Sequence, residues 1–426
     1  MKLMRYWIGR IVLNTLLCFC VVLCLFSCQN EVKEVSKPVV KTDSIDSLVA
    51  SLNIEHKKKL LHAYFDSLHK RNLMNGNVLI AQKGVVIYQE SFGYANYSRK
   101  DTNTANTSFQ LASISKQFTA MAVMMLKEEG KLSYEDSIQM YFPQFPYHGI
   151  SIRMLLSHRS GLPNYIYFFD NLLKGEKIPI NYFDVIDSLS AYHPMWYAPP
   201  NKRFEYNNTN YAILAAIVDK ASGIGFTDFV TKNIFDTLGM RNTFFYYPDS
   251  VYKKRKLATG YLYRKKEAED NFADYVYGDK GIYTTTSDLF KWHMALCKHI
   301  LVSEKTQEEA FEKGSPKRRS TKNYGFGWRL KFRKDGSKLI YHRGWWHGFQ
   351  NVFFHMPEDE VAVIVFRNKK TRYVIDYHDV NFILLPEKYK AEKPVVIPAD
   401  SNTIVNKDTL SVEDSLEISD SLEVES

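Results

Sequence analysis

The sequence predicts an α+β fold: an antiparallel β-sheet flanked by helices, with an inserted, mostly helical domain. Three observations predict it. Strand patterns occur early in the body, from about residue 76 to 110, and return late, from about 322 to 388. Helical or irregular patterns fill the region between them, about 111–321. Amphipathic helices lie outside both strand groups, so the two ends of the body can share one covered sheet.

The body, residues 54–388, opens with "KKKLLHAYFDSLHKRN", in which Leu60, Leu61, Tyr64, Phe65 and Leu68 recur at helical spacing. "GNVLIAQKGVVIYQESFG" reads as two strands around a "QKG" turn. In the middle, "FTAMAVMML" (118–126) is apolar nearly all round, which marks a buried helix, and Gly130 is a suitable stop for it. Late in the chain, "YGFGWRLKFRKDGSKLIYHRG" gives a strand, a "KDG" hairpin turn and a second strand. "FQNVFFHMPEDEVAVIVFRN" gives two more strands around "PED", and "VAVIVF" is apolar throughout, as a strand buried on both faces should be. The helix "TRYVIDYHDVNFILL" closes the body.

Composition is that of a globular protein: 426 residues, 45% hydrophobic and 24% charged. The net charge of +9 comes with short, scattered basic runs and no nucleic-acid-binding signature, so nucleic acid is not an expected partner. Residues 400–426 are acidic, Ser-rich and free of aromatics, and the tail 389–426 reads as disordered. Residues 28–53 are polar and without period, as a tether would be.

The first 27 residues read as an export signal. Lys2, Arg5 and Arg10 precede an apolar run from about Ile11 to Phe26, short for the ~20 residues of a membrane-spanning helix. The run ends in "LFSC", which resembles a bacterial lipoprotein box and implies lipidation of Cys28. The protein is therefore expected in the cell envelope, held to a membrane through Cys28. Of five cysteines only Cys297 lies in the body, so no internal disulfide or zinc site is expected there.

Ser-x-x-Lys occurs three times: Ser67–Lys70, Ser113–Lys116 and Ser250–Lys253. The first lies on the polar flank of the opening helix, and the third in a basic, Tyr-rich loop. Ser113 and Lys116 stand where a loop enters the buried helix. There, free backbone N–H groups favour negative charge, and desolvation lowers a lysine pKa so that it can take the serine proton.

With its neighbours, this segment resembles the penicillin-binding serine hydrolases: class C β-lactamases, DD-peptidases, D-aminopeptidases and related esterases. "TSFQLASISKQFTA" is similar to the family's nucleophile segment, "FEYNNTNYAILAAIVDKASG" to its Tyr-x-Asn segment, and "YHRGWWHGFQNVFFHMPEDEVAVIVFRN" to its last motif. "LLSHRSGLPNY", "FDTLGMRNT" and "GDKGIYTTTSDL" agree in order.

The resemblance implies a β-lactamase/transpeptidase-like fold with the active site between sheet and helical domain. It implies Ser113 as nucleophile, Lys116 as its proton partner and Tyr206 as the group that passes a proton to the leaving group. Asn208, His342, Gly344 and Trp345 would bind substrate, with the N–H groups of Ser113 and Trp345 as oxyanion hole. His342-Arg343-Gly344 stands where many members have Lys-Thr-Gly, a departure that argues against a dedicated β-lactamase. If neutral His342 is required, kcat/KM should fall on acidification near its reference pKa of ~6.5. His158 falls in a segment that is structural in the family. No cofactor or metal is expected. The substrate would be a small peptide, a β-lactam or an ester, with a wall-type peptide favoured; the rival from another class is a non-catalytic binding lipoprotein.

Overall fold

In the computed structural model, residues 50–247, 255–317, 320–333 and 336–389 are described. The signal, residues 28–49 of the tether including Cys28, Ser250–Lys253, the turn residues Lys334 and Asp335, and nearly all of the acidic tail lie outside them; of the last tether residues, Leu52 is buried. Contacts divide the chain after Ser51, and the account below concerns the unit that begins at Leu52.

Helix α1 (Ile54–Lys70) buries Leu61, Tyr64, Phe65 and Leu68, the stripe expected from its spacing. Strands β1 (Gly76–Gln82) and β2 (Val85–Phe92) follow as a hairpin, then the short pair β3 (Tyr94–Asn96) and β4 (Asp101–Thr102). Strand β5 (Phe109–Gln110) leads into a 3-10 turn, Ala112–Ser115, and helix α2 (Lys116–Glu128).

The middle of the chain supplies α3 (Ile152–Leu156), α4 (Tyr165–Leu173), α5 (Tyr182–Tyr192), α6 (Asn208–Ser222), α7 (Phe226–Val230), β6 (Phe244–Phe245), β7 (Ile282–Thr284), α8 (Thr286–Cys297) and α9 (Glu304–Glu309). Strands β8 (Lys322–Tyr324), β9 (Arg329–Phe332), β10 (Lys338–Trp346), β11 (Phe349–Met356) and β12 (Val361–Arg367) come next, and α10 (Tyr377–Leu384) closes the body.

The main sheet has seven antiparallel strands in the order β2-β1-β12-β11-β10-β9-β8. The two ends of the body therefore meet at β1 and β12, paired from Gly76–Arg367 to Gln82–Val361. Every residue of β12 is buried, as its unbroken apolar run requires. Strand alternation sorts the layers. Phe354 turns to Tyr377 of α10, while Phe353 and His355 turn to His293 of α8. Helices α1 and α10 are tied together by a hydrogen bond from Tyr64 Oη to Asp379 Oδ2 at 2.9 Å.

Sequence patterning places β5 with the main sheet, but it pairs instead with β7 in a separate sheet of order β5-β7-β6. Two residues are too few to carry a readable period. The closing helix is also shorter than its pattern. It starts at Tyr377, where the Asp376 side chain accepts from His378 N, instead of near Thr371.

Candidate active site

Helix α2 is buried along nearly its whole length because it runs through the interior, against α6. Ser113 lies in the 3-10 turn just ahead of it, half-buried, and Lys116 is the first residue of the helix proper. Ala112, immediately before the serine, holds a left-handed backbone with φ 49. That region costs an ordinary residue about 1–2 kcal/mol. Packing on all sides maintains it, since Ala112 is fully buried.

A second segment clamps this turn from the side. Thr119 Oγ1 donates to Gly278 O at 2.7 Å, Lys116 Nζ to Asp279 O at 3.0 Å, and Leu111 N to Ile282 O at 2.8 Å. Strand β10 approaches from the other side. Its described pairs with β9 stop at Tyr341–Arg329, so from His342 to Trp346 it has β11 along one edge and the Ser113 turn near the other. Gly344 is where they come closest: a Cβ there would lie 2.0 Å from Leu111 O. The glycine thus admits the Leu111–Ser113 backbone, where the sequence reading had it admitting substrate.

Lys116 is completely buried. Its Nζ donates to Ser113 Oγ at 3.0 Å, to Asn208 Oδ1 at 2.8 Å and to Asp279 O at 3.0 Å. Burial brings its pKa from 10.5 down to about 7; the nearby Asp279 carboxylate pulls it up and the Arg329 guanidinium pushes it down. The two carbonyl oxygens can only accept. When Lys116 is neutral they hold its two remaining N–H groups, and the lone pair is left for the third neighbour, Ser113. The arrangement can therefore take a proton from Ser113 Oγ and from nothing else in contact with Nζ.

Tyr206 lies beside this pair, its ring centroid 5.0 Å from Lys116 Nζ. Burial raises its pKa to about 12, partly opposed by Arg329 and by the Ser113 hydroxyl, so the phenol is protonated at neutral pH. Its Oη is buried, with the Ser113 hydroxyl as the polar group near it. Asn207 caps α6, accepting from Thr209 N, which leaves Asn208 as the first helical residue with its amide oxygen on Lys116.

His342 is buried and faces inward. Its Nδ1 lies 2.7 Å from Arg343 O, which can only accept, so Nδ1 carries the hydrogen. Nε2 is then the acceptor for Tyr324 Oη at 3.0 Å. Burial, with Arg329 and Lys116 nearby, holds its pKa well below 6.5. The acid limb near 6.5 expected from His342 therefore does not belong to this residue. Trp345 is half-buried, and alternation turns its side chain away from the face that carries His342 and Trp346. What it presents along the β10 edge is backbone.

Two further residues join the site: Arg329, which no sequence motif marks, and His158, expected to be structural only. Arg329 on β9 sets its guanidinium 5.1 Å from the Tyr206 ring centroid, and its charge bears on Lys116, Tyr206, His158 and His342. Only the β9–β10 register selects it from the other cations of "WRLKFRK". His158 accepts at Nδ1 from Asn207 N and Asn210 Nδ2, and its ring packs 4.3 Å from that of Tyr206. It backs the phenol.

The family model named Beta-lactamase matches residues 61–384. This chain belongs to the β-lactamase family. It is a serine hydrolase related to penicillin-binding proteins. Penicillin-binding protein 4* of Bacillus subtilis is 34% identical over 335 residues, 74% of this chain and 73% of the relative. Among solved structures, the octameric penicillin-binding protein homologue from Pyrococcus abyssi has 25% identity and a TM-score of 0.67, over 78% of this chain and 77% of that one. The D-amino acid amidase of Ochrobactrum anthropi SV3, at 22% identity and a TM-score of 0.61, covers 78% of this chain and 99% of its own. It shares the fold.

Proposed function

We propose that this family member is an exported, lipid-anchored acyl-transfer peptidase of the DD-peptidase or D-aminopeptidase kind, acting on wall-type peptides from Ser113. One observation carries the chemistry: neutral Lys116 has its two N–H groups committed to carbonyls and its lone pair facing Ser113 Oγ. Ser113 attacks the acyl carbon as its proton passes to Lys116. Tyr206, protonated at rest, passes its proton to the leaving amine and is reprotonated at the expense of the Lys116 ammonium, so both groups are neutral again when the acyl-enzyme has formed. Water then cleaves the acyl-enzyme. The N–H groups of Ser113 and Trp345 would receive the developing oxyanion, and each such donor is worth ~2.7–4 kcal/mol of barrier.

A peptide substrate is favoured by the charge of the site. His342 is neutral and turned inward, so it cannot anchor a carboxylate. Arg329 offers a cation beside Tyr206 that can. The likeness to penicillin-binding proteins supports acylation by penicillin. The anchor rests on "LFSC" ending at Cys28.

The test is intact mass after exposure to benzylpenicillin or a fluorophosphonate, beside Ser113→Ala. One adduct that the variant lacks is expected; an adduct retained by the variant overturns the assignment of Ser113. Turnover of a peptide ending in D-Ala-D-Ala, its C-terminal amide, a chromogenic cephalosporin and a p-nitrophenyl ester then separates the substrates. Preference for the free acid over the amide is expected. Equal rates on the two would refute the role of Arg329, and turnover of the cephalosporin or ester alone would refute the peptidase reading.

A further inference from the structure

Helix α8 carries His293 and Cys297 four residues apart, which places both on one face. Across from it, His355 of β11 turns to the same point. His293 Nδ1 and His355 Nδ1 are 2.9 Å apart, and Cys297 Sγ is 3.5 Å from His293 Nε2. One ligand atom from each of the three lies within 4.8 Å of the other two. Both histidines are buried, while Cys297 is exposed and gives the cluster an opening to solvent. The catalytic arrangement around Ser113 uses none of these residues.

Both rings are buried, and a neutral imidazole carries one bare nitrogen able to bind a metal. Their walls are aromatic: Phe290 stacks on His293 at 6.0 Å, and Phe311 and Trp328 each lie 5.9 Å from His355. Two buried imidazoles and a thiol set edge to edge in an apolar wall are an unusual use of core volume. His299, two residues beyond the cysteine, adds a buried Nδ1 with no hydrogen-bond partner and lies near enough for its charge to bear on His355.

We propose that His293, Cys297 and His355 form a binding site for a thiophilic d10 metal ion, zinc(II) or copper(I), separate from the serine site. Imidazole nitrogen with thiolate sulfur is the donor set that both ions accept. Zinc–nitrogen bonds of ~2.0–2.1 Å and a zinc–sulfur bond of ~2.3 Å put tetrahedral N···S edges at about 3.6 Å and N···N edges at about 3.3 Å. The 3.5 Å Cys297 contact is made by His293 Nε2 and the 2.9 Å His355 contact by His293 Nδ1; a metal takes one nitrogen of that ring, so one edge is already in place and the other forms by side-chain rotation within the 4.8 Å cluster. Binding forms a metal–sulfur bond and releases the thiol proton to solvent, with no change of oxidation state. The charge balance differs between the ions. Copper(I) with one thiolate is neutral overall, whereas zinc(II) keeps +1 and, being four-coordinate, has one further position that His299 or water would fill. The exclusion of zinc drawn from a single body cysteine overlooked His355, which is 62 residues from His293 in the chain.

The experiment loads the full chain, in detergent, with zinc(II) alone and, anaerobically, with copper(I) alone, beside Cys297→Ser. After dialysis the metal per chain is measured, and cobalt(II) substitution is followed for a sulfur-to-cobalt charge-transfer band. The four N-terminal cysteines are present in both proteins and cancel in the difference. One additional metal per wild-type chain is expected, with a charge-transfer band that the variant lacks. Affinity should fall in Cys297→Ser by more than the ~10-fold that loss of an outer partner costs. Metal content and spectra equal in the two proteins, for both ions, would overturn the proposal. Because Cys297 is exposed at the end of α8, the variant should fold, and unchanged hydrolysis by the metal-free protein and by the variant separates this site from that of Ser113.

Discussion

Replacing Lys116 by methionine should remove a pH dependence of stability that the structure quantifies. In the unfolded chain the lysine holds its proton up to about 10.5; in the folded protein burial lets it go at about 7. Between these values the unfolded state binds more protons, so folding stability rises with pH across the window. With those two pKa values, proton linkage at Lys116 costs the fold about 4 kcal/mol at pH 7 and about 2 kcal/mol at pH 9. Lys116→Met lacks the term. It also strands the Asn208 and Asp279 oxygens, at about 1–3 kcal/mol each, but that cost does not depend on pH. Urea unfolding of both proteins at pH 7 and pH 9 isolates Lys116 and the groups coupled to it, because the titrations of uncoupled groups cancel in the double difference. Wild type should gain about 2 kcal/mol on the variant between the two pH values. Parallel behaviour within about 0.5 kcal/mol would refute the claim that Lys116 is desolvated and neutral near pH 7, and with it its use as a base.

The kinetic counterpart is an acid limb in kcat/KM near pH 7, below which protonated Lys116 cannot accept from Ser113. Its two charged neighbours should move that limb in opposite directions, which a pH profile reads directly. Arg329→Gln removes a cation and should raise the limb, while costing more with carboxylate substrates than with neutral esters. Asp279→Asn removes an anion and should lower it. The same change leaves Lys280 buried without its 2.8 Å counterion, and should cost about 3–5 kcal/mol in denaturant unfolding. Gly344→Ala should cost about 1–3 kcal/mol or more and slow acylation of Ser113, because the new Cβ meets the Leu111 carbonyl at 2.0 Å. A variant with wild-type melting and acylation would show that the close approach is not needed.

What could be read from the sequence divides along a physical line. Long periodic segments reported themselves: the α1 stripe, the unbroken apolar run of β12 and the buried helix behind Ser113. Ser113, Lys116, Tyr206 and Asn208 could be picked out because each sits in a local pattern, and the structure brings all four together. Arg329, the Asp279 carbonyl and the His293–His355 pair were not legible, since their proximity is made by strand register and layer packing. A backbone oxygen has no sequence signature at all. His342 was legible as a position and not as an environment: its inward orientation depends on Tyr324, another strand away.

The pairing of β1 with β12 has a consequence for biosynthesis. Strand β1 has its sheet neighbours in β2 and in a strand that is among the last parts of the body to be made. A nascent chain that has emerged only through α6 already carries Ser113, Lys116 and Tyr206. It still lacks β10, whose edge and glycine seat the turn, and Asp279, whose carbonyl holds the lysine. Such long-range closure is slow and comes late in folding. The groups that seat the Ser113 turn and hold Lys116 thus follow the catalytic residues in the chain, and the site is complete only in a chain that extends past β10.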